Sequence, residues 1–167
     1  MRPIEPEILG QWFENYSASL VLYAHQWLES DEAEDIVQEA FIRLMKQKSP
    51  PDNVKAWLFC TVRNEAISRW RWSNRRQTHR SNVEQLQVDW FERDTTNPLD
   101  AAFAQQALSA LPEDLREIVV LRIWGQMTLK EIGIVLAQPI STIFNKYESA
   151  LEHLRKKMEK PCPTHLN

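Results

Sequence analysis

The chain has 167 residues, 43% apolar and 26% charged, with a formal net charge of −3 and three glycines. That apolar content supplies a packed core and excludes wholesale disorder. Gly10, Gly125 and Gly133 are too few and too scattered for a glycine-rich phosphate loop or a turn-dense β fold.

The small net charge hides a sorting along the chain. Between Pro3 and Ile42 stands no Lys or Arg, while Glu5, Glu7, Glu14, Glu29, Asp31, Glu32, Glu34, Asp35 and Glu39 fall there. Between Arg63 and Arg80 the balance reverses, with Arg63, Arg69, Arg71, Arg75, Arg76 and Arg80 against the single acid Glu65. Two kinds of partner follow, one basic and one polyanionic.

Nearly every segment reads as helix. Over residues 6–28, Ile8, Leu9, Trp12, Phe13, Tyr16, Leu20, Tyr23 and Trp27 recur at helical spacing, as one long helix or two. Ser30 or Asp31 can cap the next helix. There Ile36, Val37, Ala40, Phe41 and Leu44 form one face and leave Asp35, Gln38, Glu39 and Arg43 outside. Ser49-Pro50-Pro51-Asp52-Asn53 breaks it. The third helix, Val54 to Arg76, buries Phe59, Val62, Ala66, Ile67 and Trp70, and Trp57 is also read as core. Its opposite face carries Thr61, Asn64, Ser68, Arg71, Trp72 and Arg75. Cations around an exposed tryptophan suit single-stranded nucleic acid, whose phosphates take the charge while bases stack on the ring; a merely solvated basic face is the alternative.

Residues 81–98 lose the pattern and read as a polar, acidic linker. Beyond it, one helix covers about Asp100–Ala110, and a second carries Pro112 in its first turn and runs to Trp124, where Gly125 ends it. Thr128 and Glu131 form a capping box for a short helix reaching Leu136. After a turn, Ser141 caps a last helix ending near Met158. Ile132, Leu136, Ile143, Tyr147, Ala150, Leu151 and Leu154 would pack this pair, which has the helix-turn-helix layout. The fold class is therefore all-α, two small helical domains joined by a flexible linker. Cys60 and Cys162 match no metal spacing, and His25, His79, His153 and His165 are scattered. No catalytic residue, metal or cofactor is expected. An acidic N-terminus and the lack of an apolar run of ~20 residues point to a cytoplasmic protein without membrane insertion.

The segment Ala33-Glu34-Asp35-Ile36-Val37-Gln38-Glu39-Ala40-Phe41, followed by Ala56-Trp57-Leu58-Phe59 and Arg63-Asn64, resembles domain 2 of sigma-70 family RNA polymerase sigma factors, most nearly the small extracytoplasmic-function (ECF) group. Leu108-Ser109-Ala110-Leu111-Pro112, Arg116, Glu131-Ile132, Ser141-Thr142-Ile143, Ala150-Leu151 and Leu154-Arg155 are similar to the domain 4 helix-turn-helix of the same family. The resemblance implies domain 2 over residues 6–80, the linker over 81–98 and domain 4 over 99–160.

It also implies partners: core RNA polymerase through its β′ clamp helices and β flap, promoter DNA, and an anti-sigma factor. The clamp would meet Asp35, Gln38, Glu39 and Arg43, although Asp35 could instead pair within its domain, with Arg63 as a candidate. The loop Lys46–Lys55 would pocket an unstacked base of the minus-10 element. Asn64, Ser68 and Arg71 would reach base edges or phosphate, Arg69, Arg75 and Arg76 would contact phosphate, and Trp72 would stack. The minus-35 element would meet Ser141, Thr142, Asn145, Lys146 and Ser149, with Asn145 and Lys146 the foremost base contacts. Phe144 and Glu148 stand where the family often has a base, and Ala137 where its turn often has Gly. Glu84, Asp89, Glu92 and Asp94 of the linker could mimic nucleic-acid charge, or simply solvate a tether. The implied function is an alternative sigma factor that recruits core polymerase and opens promoters. The alternatives are a sigma-like interaction protein with degenerate DNA recognition and a stand-alone helix-turn-helix regulator.

Overall fold

A computed structural model of the chain describes residues 4–76 and 98–159. They form seven α-helices and no strand: α1 Pro6–Ala24, α2 Ser30–Met45, α3 Val54–Arg76, α4 Pro98–Ser109, α5 Glu113–Ile123, α6 Leu129–Leu136 and α7 Ile140–Glu159. Two compact units result, the first built on α1–α3 and the second mainly on α4–α7. Residues 81–97 of the predicted linker, with Glu84, Asp89, Glu92 and Asp94, and Cys162 lie outside the described residues, while Pro98, its predicted last residue, begins α4.

In the first unit α1 opens with Pro6, whose missing N–H is no loss in a first turn. The helix ends at Ala24, and a turn then carries Trp27 and Leu28 back into the core. Trp27 therefore keeps the burial its spacing predicts without being helical. Tyr23 is fully buried, 5.3 Å from Trp27 and 5.4 Å from Phe59 between ring centroids, and Phe13 meets Phe41 edge-on at 5.0 Å. Such tilted and edge-on contacts suit the ring quadrupoles. Ser30 is the first residue of α2, and neither it nor Asp31 caps the helix. Glu29 holds that position, in extended conformation and without a side-chain bond, and its carbonyl accepts the Ala33 N–H at 2.8 Å. Asp31 and Glu32 still sit at the positive end of the helix dipole.

The α3 boundaries are those predicted. Its start is fixed by Asn53, whose Oδ1 accepts the Ala56 N–H at 2.9 Å. Ala56, Leu58, Phe59, Val62 and Ala66 are buried. The predicted apolar stripe stops there: Ile67 is only half-buried, as is Trp57, and Trp70 is 43% exposed. The reason is chemical, because beyond Ala66 the seam between α2 and α3 turns from apolar to ionic.

In the second unit α5 packs on α7, and Ile118, Leu121, Met127, Ile132 and Ile143 are fully buried. Pro112 stands at the cap of α5 rather than inside it. The exit from α5 is shared by two residues. Gln126, at φ 48°, takes the left-handed conformation, and Gly125 permits a close approach, since a Cβ there would lie 2.5 Å from the Leu121 carbonyl oxygen. The capping box is present: the Thr128 hydroxyl accepts the Glu131 N–H at 3.2 Å, and the Glu131 carboxylate accepts the Thr128 N–H at 2.8 Å. Between α6 and α7, Ala137 is left-handed at φ 51° and the Gln138 N–H donates to the Gly133 carbonyl at 3.0 Å. Ser141 does not cap α7; the Pro139 carbonyl accepts the Ile143 N–H, which places Ser141 in the first turn. Of the predicted packing residues Ile132, Leu136, Ile143 and Ala150 are buried, Tyr147 and Leu154 are half-buried, and Leu151 turns outward.

Candidate functional site

Three surfaces collect the predicted site residues. The first is the ionic seam between α2 and α3. Arg69 directs three nitrogens at three carboxylates: Nη1 to Asp35 at 3.0 Å, Nη2 to Glu39 at 3.1 Å and Nε to Glu65 at 3.2 Å. Arg43 completes it by bonding Glu39 and lying 3.4 Å from Glu65. Three carboxylates against two guanidiniums leave one net negative charge. Partial burial alone would lower the Arg69 pKa, but Asp35 and Glu65 outweigh it and hold the group above its ordinary value. The hydrogen bond that Arg43 donates to the Glu39 carboxylate likewise raises the Arg43 pKa.

This geometry revises one assignment. Arg69, grouped by sequence with the phosphate-contacting arginines, is engaged by acids of the very helix predicted to meet the polymerase. The intradomain pair considered for Asp35 is made, with Arg69. Asp35 and Glu39 remain accessible, with side chains 67% and 40% exposed, and Gln38 is exposed beside them, outside the network. Sequence reading passed over Glu65; its place four residues before Arg69 on a helix was the available signal.

The second surface is the outward face of α3. Asn64, Ser68, Arg71, Trp72, Arg75 and Arg76 are all exposed. The Arg76 guanidinium carbon lies 3.8 Å from the centroid of the Trp72 ring, a cation–π contact that covers one face of the indole. Asn64 donates weakly to Cys60 Sγ at 3.7 Å.

The third surface is the first half of α7. Ser141, Phe144, Asn145 and Glu148 are exposed, while Thr142, Lys146 and Ser149 are half-buried. Lys146, a foremost predicted base contact, instead pairs through Nζ with Asp114 in the first turn of α5, at 3.2 Å. Asp114 escaped the sequence reading because its partner is 32 residues away, on another helix. Among the described residues no group of three or more His, Cys, Asp or Glu is placed to hold a metal ion, and no helix is long and apolar enough to cross a membrane.

The family models for Sigma-70 region 2 and Sigma-70, region 4 match residues 12–76 and 107–156, which span the first two surfaces and the third respectively. The chain belongs to the sigma-70 family, in its ECF group. It is similar to the ECF RNA polymerase sigma factor SigW of Bacillus subtilis (strain 168), at 29% identity over 143 residues covering 76% of this chain and 75% of that one. It is 24% identical over 162 residues to the ECF RNA polymerase sigma-E factor of Escherichia coli (strain K12), covering 88% and 83%. The sigma factor RpoE of Bartonella quintana, solved in complex with the anti-sigma factor NepR, shares the fold of this ECF sigma factor. Its TM-score is 0.73 over 92% of this chain and 98% of that one, at 23% identity.

Proposed function

We propose that this alternative sigma factor, which directs transcription initiation, divides its work among the three surfaces. The outward side of α2, with Asp35, Gln38, Glu39 and Arg43, meets the β′ clamp helices of core polymerase. The face of α3 with Asn64, Ser68, Arg71, Trp72, Arg75 and Arg76 holds the opened non-template strand at the minus-10 element. The first half of α7 enters the duplex at the minus-35 element, and the unit that contains it rests on the β flap. Domain 2 over 6–80 and domain 4 over 99–160 are the functional divisions. The protein works in the cytoplasm as a non-catalytic subunit. The RpoE–NepR complex supports an anti-sigma partner for this chain too.

One observation carries this reading: the acidic seam and the tryptophan–arginine face lie on adjoining helices of one compact unit yet are chemically distinct. A polymerase-facing surface and a strand-facing surface are thus held in fixed register. Arg69 serves as the brace between α2 and α3.

The test separates the two. Gln38→Arg, which lies outside the ion-pair network, should lower affinity for core polymerase by about tenfold, since a charge mismatch at an interface costs on the order of 1 kcal/mol or more. Trp72→Ala should leave core affinity unchanged and weaken capture of a minus-10 single strand by the holoenzyme by ~1–3 kcal/mol, the typical contribution of one stacked base. Both variants binding core and strand as the parent does would remove these surfaces from the proposal.

A further inference from the structure

The outward face of α7 has an unusual makeup for a helix that meets DNA. With about 100° between successive residues, Phe144, Asn145 and Glu148 share an arc of about 100° around Ser141. Ile143 and Ala150, both fully buried, mark the opposite side. Lys146 lies off this arc and is tied to Asp114. From Ser141 to Ser149 the outward arc therefore carries one acid, one amide and one phenyl ring 50% exposed, and no cation.

Such a face cannot gain much from phosphates, and Glu148 is repelled by them. Its favourable partners lie on the groove floor. A carboxylate accepts only from an exocyclic amine, and cytosine N4 presents one without a neighbouring acceptor. An amide pairs bidentately with adenine N6 and N7. The one apolar group in the major groove is the thymine C5 methyl, the natural contact for a phenyl ring. Phe144 and Glu148 are one turn apart, about 6 Å along the axis, or roughly two base-pair steps.

We infer that the first half of α7 reads its element through base edges, with Phe144, Asn145 and Glu148 as the specificity-determining residues for a thymine, an adenine and a cytosine. This rests on the assignment of α7 to the minus-35 duplex. Lys146 is a positioning residue that braces α7 on α5. The bases are read with little help from phosphates, so the contribution of the stretch from Ser141 to Ser149 falls only weakly with salt.

The experiment is in vitro transcription by core polymerase with the full-length protein, on promoters randomised across the minus-35 region, with transcripts counted by sequencing. The parent should favour cytosine at one position. Glu148→Gln should move that preference to adenine by about tenfold, because glutamine pairs with adenine as asparagine does. Glu148→Ala should flatten it, and Asn145→Arg should turn an adjacent adenine preference into guanine. The minus-10 preference should stay the same throughout, which shows that each variant is folded and loaded on polymerase. A cytosine preference that survives Glu148→Gln and Glu148→Ala overturns the inference. So does a parent indifferent to minus-35 sequence but selective at minus-10. A parent selective at neither element would contradict the sigma assignment of these surfaces itself.

Discussion

Arg69 is the residue on which the first unit turns. It joins Asp35 and Glu39 of α2 to Glu65 of its own helix. Its neighbour Arg71 points outward, although both belong to the same basic run. Sequence spacing alone cannot separate them, because what recruits Arg69 lies 30 and 34 residues earlier. Its loss should matter more than that of a lone surface pair. Three partly exposed pairs at ~0.2–1 kcal/mol each predict that Arg69→Ala lowers unfolding stability by about 1–2 kcal/mol, as read by urea denaturation. Arg69→Lys should recover only part, since an ammonium cannot match three carboxylates with one planar fork. The deficit should shrink in high salt. Equal stability of Arg69→Ala and the parent would mean that the seam contributes nothing.

At the scale of elements, local chemistry set the helices and tertiary context moved their ends. The Pro50-Pro51 break and the Asn53 cap gave α3 its start. The Thr128–Glu131 box could be read directly from its spacing. The start of α7 could not, because Ser141 is the better capping side chain, yet the left-handed Ala137 ends the preceding turn early enough for Pro139 to take the position. Three outcomes follow. Thr128→Ala should lower thermal stability by about 1 kcal/mol, the usual contribution of an N-cap hydroxyl. Ala137→Gly should raise it by up to about 1 kcal/mol, because glycine accepts positive φ without strain. Gly133→Ala should act in the opposite sense, since its Cβ would lie 2.8 Å from the Gln138 carbonyl oxygen. Thermal melts of the three variants check both the signs and their order.

For the whole molecule, the two-domain, all-α plan and the family were legible from the order of two motif sets. Burial at the ends of packed stripes was not. Trp70 and Leu151 continue apolar periodicities that their neighbours do not cover, and both are exposed at 43% and 39%. Periodicity reports which face an apolar residue shares, but not where the packing partner ends. The same limit hid the engagement of Lys146 by Asp114, and with it the lack of a cation on the outward arc from Ser141 to Ser149. Together these placements support the proposal that polymerase binding, strand capture and duplex reading fall to separate surfaces of one chain. The most direct measurement is sequencing of the RNA made in vitro by core polymerase with and without this protein on genomic DNA. We expect discrete start sites that appear only with the protein and share an upstream sequence. Transcripts no different from those of core polymerase alone would contradict it.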